Sequence, residues 1–377
     1  MRNAILGARI LAGGRWLERH AVLVDDRTIT AVVPQDEVPA GSIITELDGG
    51  TLLPGFIDTQ VNGGGGVLFN DNPTCEGIEA IASAHRSFGT TALMPTLISD
   101  DLDVIAKAIQ AVDQAIAAGV PGVIGIHIEG PFLNPAKHGI HDANKFRLLD
   151  QDAVSLLCSL RAGKTLVTLA PERTAPGVIA ELTRRGVIVA AGHSLATYTD
   201  MERAKAEGLS GVTHLYNAMT QLDSREPGLV GAAFDLGLTS GLIVDGFHVH
   251  PATLRAAYRA KGAGELMLVT DAMPNVGHAD SGFLLGGNWI SAETGALRGP
   301  DGTLAGSDLD MARAVRNAVA MMGVDLADAS QMASSTPAAF LGLSHSHGMI
   351  AAGMRADFVH LDHQMMPQAV WIAGVRH

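Results

Sequence analysis

Through the middle of the chain, short apolar runs alternate with Ala-rich amphipathic stretches. TLLPGFIDTQVN precedes EGIEAIASAHRSFG, and TALMPTL precedes DDLDVIAKAIQAVDQAIAAG. The first member of each pair reads as a strand. The second spaces its apolar residues as a helix with one buried face does. Six more apolar runs follow: GVIGIHIEG, TLVTLAP, GVIVAAGHS, GVTHLYNAM, SGLIVDGFHV and ELMLVTDAMP. Eight strand-forming runs, mostly separated by helical stretches, predict a closed (β/α)8 TIM-like barrel of the α/β class. An open doubly wound sheet is the competing arrangement, but no Gly-rich dinucleotide fingerprint follows any of the runs.

The two ends of the chain have another pattern. AILGARIL, HAVLVDD and TITAVVP are short β-rich runs broken by Gly, Asp and Pro, and the tail GMIAAGMRADFVHLDHQMMPQAVWIAGVRH resembles them. The expected organisation is a small β-sandwich domain from residues 1–52 and 345–377, around a catalytic barrel over residues 53–344.

Composition narrows the partners. The chain has 377 residues, is 47% hydrophobic and 4% aromatic, and carries a formal net charge of −13. An acidic chain without a long basic tract is a poor nucleic-acid binder, and a phosphorylated ligand would need a local cationic pocket. The two cysteines, Cys75 and Cys158, lie far apart and outside any CxxC, which suits a reducing compartment. The charged N-terminus MRNAILGARILAGGRW is a poor signal peptide, and no apolar run reaches membrane-spanning length. The expectation is a cytoplasmic protein without a membrane partner.

Candidate chemistry gathers at the C-terminal ends of the apolar runs, the end that faces the active site in a barrel. Asp58, His127, Glu129, His193, His214, His248 and Asp271 stand there. A single strand-end histidine is more often a hydrogen-bonded structural residue than a ligand, and a single aspartate can simply cap a helix. Successive runs that each deliver an acid or imidazole at the same end are harder to explain by chance. One Glu and two His match a catalytic zinc site with open coordination positions, beside which a free carboxylate can act as general base.

PGFIDTQVNGGGG, HIEGPFLN, AGHSLAT, THLYNAM, DGFHV and LVTDAM resemble, in order, the motifs of N-acetylglucosamine-6-phosphate deacetylases of the amidohydrolase superfamily. TLAGSDLDM, STPAAFLGL and GMIAAGMRADFV continue the match, so the resemblance covers nearly the whole chain. It implies that Glu129, His193 and His214 bind metal, that Asp271 is the catalytic acid/base, and that His141 contacts the acetamide carbonyl and sugar. It further implies substrate contacts at Ile140, Asn217 and Ala218, phosphate contacts at Arg225 and His248, and a loop over the substrate at Leu304, Ala305 and Gly306.

The implied reaction is hydrolysis of the acetamide of N-acetyl-D-glucosamine 6-phosphate to acetate and glucosamine 6-phosphate, with metal-bound hydroxide as nucleophile and Asp271 as base, then acid. The implied cofactor is one divalent ion per subunit, zinc first, with iron, cobalt and manganese as alternatives. The implied assembly is a homodimer with the phosphate pocket near the interface. One position departs from the wider superfamily: where many members carry His-x-His after the first barrel strand, this chain has Gln60-Val61-Asn62, a candidate vestigial second metal site. The alternatives are a deacetylase of another amino-sugar phosphate such as N-acetylgalactosamine 6-phosphate, a cyclic-amide hydrolase or deaminase, and a non-catalytic amidohydrolase-like interaction protein.

Overall fold

A computed structural model of the chain describes residues 2–279, 282–292 and 296–377. Each of the eight apolar runs contributes a strand: β1 (Phe56–Val61), β2 (Thr90–Ile98), β3 (Gly125–Glu129), β4 (Lys164–Leu169), β5 (Ile188–Ala191), β6 (Gly211–Val212), β7 (Thr239–Leu242) and β8 (Leu266–Leu268). They form one sheet in sequence order, every neighbour parallel. The ring closes through a parallel bridge between Val61 and Ala272 and a 3.0 Å bond from the Asp271 amide to the Gln60 carbonyl. Every residue of β1, β2 and β3 is buried, one side within the barrel and the other beneath helices, so even the polar members Asp58, Gln60, His127 and Glu129 lie away from solvent.

Helices return the chain from each strand to the next. In α1 (Cys75–Arg86) the Thr74 hydroxyl accepts the Gly77 amide as an N-cap, and Ile78 and Ile81 face the core. In α2 (Leu102–Ala118) the buried face is Ile105, Ala108, Ile109 and Val112, and Gly119 ends the helix in a left-handed turn (φ 75°). Among the described residues no helix is long and apolar enough to cross a membrane.

The ends of the chain make two further sheets. The first has Arg2–Leu6, His20–Asp25, Thr28–Pro34 and Ile43–Glu46. The second joins both termini: Arg9–Ala12, Arg15–Leu17 and Thr51–Pro54 pair with Phe358–Leu361, Pro367–Ile372 and Val375–Arg376. Ile5, Val22, Val24 and Ile29 of the first pack with Ile10, Leu52, Phe358 and Trp371 of the second as one core. Phe358 is fully buried and meets the Trp371 ring edge-on, with centroids 6.4 Å apart. Phe358→Ala should cost about 3–5 kcal/mol by denaturant titration, leaving activity per folded molecule unchanged because the residue lies outside the barrel mouth.

Candidate active site

The site is built on backbone that turns sharply at the strand ends. His193 after β5, His214 after β6 and Asp271 after β8 have φ values of 48°, 30° and 52°, with Tyr216 and Ala218 also positive. Non-glycine residues adopt such angles at a cost on the order of 1–3 kcal/mol each, and they cluster where function requires them. Here the turns bring side chains from separate strands to one point.

Glu129 Oε1 lies 3.2 Å from His193 Nε2 and 3.0 Å from His214 Nε2, and the two nitrogens lie 3.0 Å apart. All three residues are buried. Their donor atoms fall within 4.8 Å of one another, so two imidazoles and a carboxylate share a single focus, which is the donor chemistry of a divalent transition-metal site. His193 Nδ1 is 2.7 Å from the Lys137 carbonyl. A carbonyl only accepts, so the proton sits on Nδ1 and the Nε2 lone pair faces the focus, as a metal ligand requires.

Burial opposes the Glu129 charge, but the contacts with His193 and His214 outweigh it and hold the carboxyl well below its ordinary range. Burial likewise opposes charge on His214, and the Glu129 contact outweighs it, raising the imidazole above its usual value. An ion must displace that proton, so metal uptake should release protons and weaken in acid.

Asp271 stands beside this set. Burial, then the nearby Glu129 charge, raises it to about 6. Gln60 and Asn62 hold it: Gln60 Nε2 donates to Glu129 Oε2 and to Asp271 Oδ1, both at 3.1 Å, and Asn62 Nδ2 donates to Asp271 Oδ1 at 2.7 Å. The two carboxamides thus brace the carboxylates of Glu129 and Asp271 as donors. Two other strand-end residues also turn elsewhere. Asp58 accepts from the Thr270 hydroxyl at 2.5 Å, tying β1 to the strand that carries Asp271. His127 Nε2 meets the Thr168 hydroxyl at 2.7 Å.

A cavity of about 410 Å3 opens over the focus, within the range of small-ligand sites. Its lining includes Glu129, His193, His214, Asp271 and Asn62, and also Ile140, His141, Asn217, Ala218, His248, Leu304 and Gly306. Burial, then the neighbouring His193 imidazole, pushes His141 down to about 3, so it is neutral. Two expected contacts lie elsewhere. Ala305 is buried behind the wall with Leu68 and Met273, and Arg225 is exposed on the loop before Gly228, outside the lining.

The cavity wall adds residues that sequence reasoning had not singled out. Lys137 and Arg298 line it as cations. Asp245 accepts the backbone N–H groups of Phe247 and His248 and faces His248 Nδ1 at 2.5 Å, fixing that ring. Burial opposes the Asp245 charge, and the His248 contact outweighs it, lowering the carboxyl. Its place three residues before His248 in DGFH was the available signal; Lys137, four residues before His141, had only its charge.

A parallel barrel with a Glu–His–His focus, an adjacent free carboxylate and a matching sequence defines the class: the chain belongs to the amidohydrolase family, whose model matches residues 51–376, preceded by a NagA composite domain over residues 3–52. Members of this family are metal-dependent, and the Glu129–His193–His214 set can hold one ion. Within the family the likeness is to deacetylases of N-acetylated amino-sugar phosphates. The chain is 46% identical to an N-acetylgalactosamine-6-phosphate deacetylase of Shewanella sp. (strain ANA-3), covering 98% of this chain and 94% of that protein. The crystal structure of N-acetylglucosamine-6-phosphate deacetylase from Pasteurella multocida superposes with a TM-score of 0.97 at 31% identity, covering 100% of both chains. The Mycobacterium smegmatis N-acetyl-D-glucosamine-6-phosphate deacetylase, solved with N-acetyl-D-glucosamine 6-phosphate, superposes at 0.91 with 33% identity, covering 100% of this chain and 99% of that one.

Proposed function

We propose that the chain hydrolyses the acetamide of a 6-phosphorylated N-acetylhexosamine, using one divalent ion held by Glu129, His193 and His214. The observation that carries this reading is a three-ligand set and a separate, amide-braced carboxylate, Asp271, lining one sugar-sized cavity. An ion so held lowers the pKa of a water and polarises a carbonyl. Asp271 takes the proton of the attacking water and returns it to the sugar nitrogen as the amide C–N bond breaks. His141 donates to the carbonyl oxygen as negative charge develops there. Gln60 and Asn62 keep the Asp271 carboxylate oriented through both transfers.

The motifs imply the gluco epimer as substrate. The galacto epimer is a second reading with its own support, the 46% relative that acts on N-acetylgalactosamine 6-phosphate. Comparing kcat/KM for acetate release from the two phosphates separates them, and absence of release from both overturns the reading.

His248, oriented by Asp245, supplies phosphate recognition from within the cavity. Arg225 lies outside it, on an exposed loop, and its phosphate contact would come from a pocket shared between subunits of a homodimer. Arg225→Ala should then lower kcat/KM by about 1.5–3 kcal/mol on the phosphorylated sugar and leave the unphosphorylated sugar little changed. An equal loss on both would remove Arg225 from phosphate binding.

A further inference from the structure

We propose that Ser99 fixes the proton of His141 on Nε2, making this histidine a hydrogen-bond donor in the cavity. The inference deepens the reading above, in which His141 serves the acetamide carbonyl.

Ser99 is buried and directly follows β2. Its backbone nitrogen lies 3.3 Å from His141 Nδ1 and its hydroxyl oxygen lies 2.8 Å from the same atom. A backbone N–H can only donate, so Nδ1 presents a lone pair to Ser99. In a neutral imidazole the single proton is then on Nε2. Among the described residues Nε2 has no hydrogen-bond partner, and the ring lines the cavity.

The opposite tautomer would have a different consequence. With Nδ1–H donating to the Ser99 hydroxyl, Nε2 would be a bare imidazole nitrogen beside the focus; the His141 and His193 ring centroids are only 4.5 Å apart. In that tautomer Nε2 would carry no proton to donate to a carbonyl oxygen. The two-donor arrangement at Ser99 selects against that outcome. The hydroxyl also lies 3.4 Å from the Glu129 carbonyl, so Ser99 spans the strand end that carries the metal-binding carboxylate and the loop that carries the donor histidine. Ser99 is thus a positioning residue, acting on the reaction through His141.

The test is 15N-imidazole NMR of zinc-loaded wild type and Ser99→Ala, with His141 assigned by the signals lost in His141→Gln. Wild type should show an unprotonated Nδ1 and a protonated Nε2. Ser99→Ala keeps the amide donor and removes the hydroxyl that could accept from Nδ1–H, so the Nε2–H tautomer should persist while the ring loses its shorter tether. Its kcat should fall about tenfold with KM within about twofold, a smaller loss than the roughly 10²–10³-fold cost of deleting an oxyanion donor. A wild-type proton on Nδ1 overturns the proposal. So does a Ser99→Ala variant with unchanged kcat. The spectra involve no substrate, so failure of the tautomer assignment is distinct from failure of the deacetylase reading, which would appear as no acetate from wild type.

Discussion

Asp271→Asn should keep its fold and its bound ion while losing about 10²–10⁴-fold in kcat, the usual contribution of a general acid–base group. The substitution is nearly isosteric and leaves Glu129, His193 and His214 untouched. It removes a carboxylate that stands beside the Glu129–His193–His214 set without belonging to it. A carboxamide in its place can neither take the water proton nor deliver one to the amine. The pH profile gives a second readout. Burial and the Glu129 charge hold Asp271 at about 6. It is a base only above that value, so kcat/KM should rise with pH through an acid limb. A bound cation offsets the Glu129 contribution, which places the limb at or below about 6 in the loaded enzyme. The Asn variant should lack that limb. Near-normal turnover in a variant with confirmed metal would assign the proton transfers to another group.

Stripping the metal should abolish acetate release, and restoring it should saturate activity near one equivalent per chain. Gln60 and Asn62 carry this prediction. Each spends its side-chain NH2 on carboxylates, Gln60 on Glu129 and Asp271, and Asn62 on Asp271. A second ion next to Asp271 would meet N–H dipoles pointing at the same oxygens, and neutral carboxamides are weak ligands for transition metals. His127, two residues before Glu129, is engaged with Thr168. Metal analysis after dialysis, paired with activity titration, checks the count. A requirement for two equivalents, with two anomalous peaks at the barrel mouth, would refute it.

Much of this architecture was legible because a (β/α)8 barrel imposes one rule on the whole chain: strand C-termini share a face. Glu129, His193, His214 and Asp271 stood among seven strand-end candidates, and the family resemblance singled out these four for metal and proton transfer. The same rule misled for His127 and Asp58. Residues two apart in a strand share a side but differ in depth by about 6.6 Å, which puts His127 one layer below Glu129, among Thr96, Thr168 and Thr213. Asp58 is absorbed by Thr270, a contact 212 positions away in the sequence. The left-handed angles at His193, His214 and Asp271 were hidden because none is a glycine, the residue that would have signalled them. Lys137 and Arg298 come from long loops, where periodicity carries no information and only the folded chain brings them to the cavity. The amide roles of Gln60 and Asn62 were half visible: the sequence indicated that they are poor ligands, and the contacts revealed what they hold.

The measurement that bears most directly on the central claim follows both products when the zinc-loaded protein is incubated with N-acetylglucosamine 6-phosphate and, separately, N-acetylgalactosamine 6-phosphate. The account predicts acetate and free amino-sugar phosphate in equal amounts from at least one epimer, abolished by chelation and reduced by about 10²–10⁴-fold in Asp271→Asn. No acetate from either phosphate with metal confirmed at the site, or release that persists unchanged after the metal is removed, would contradict it.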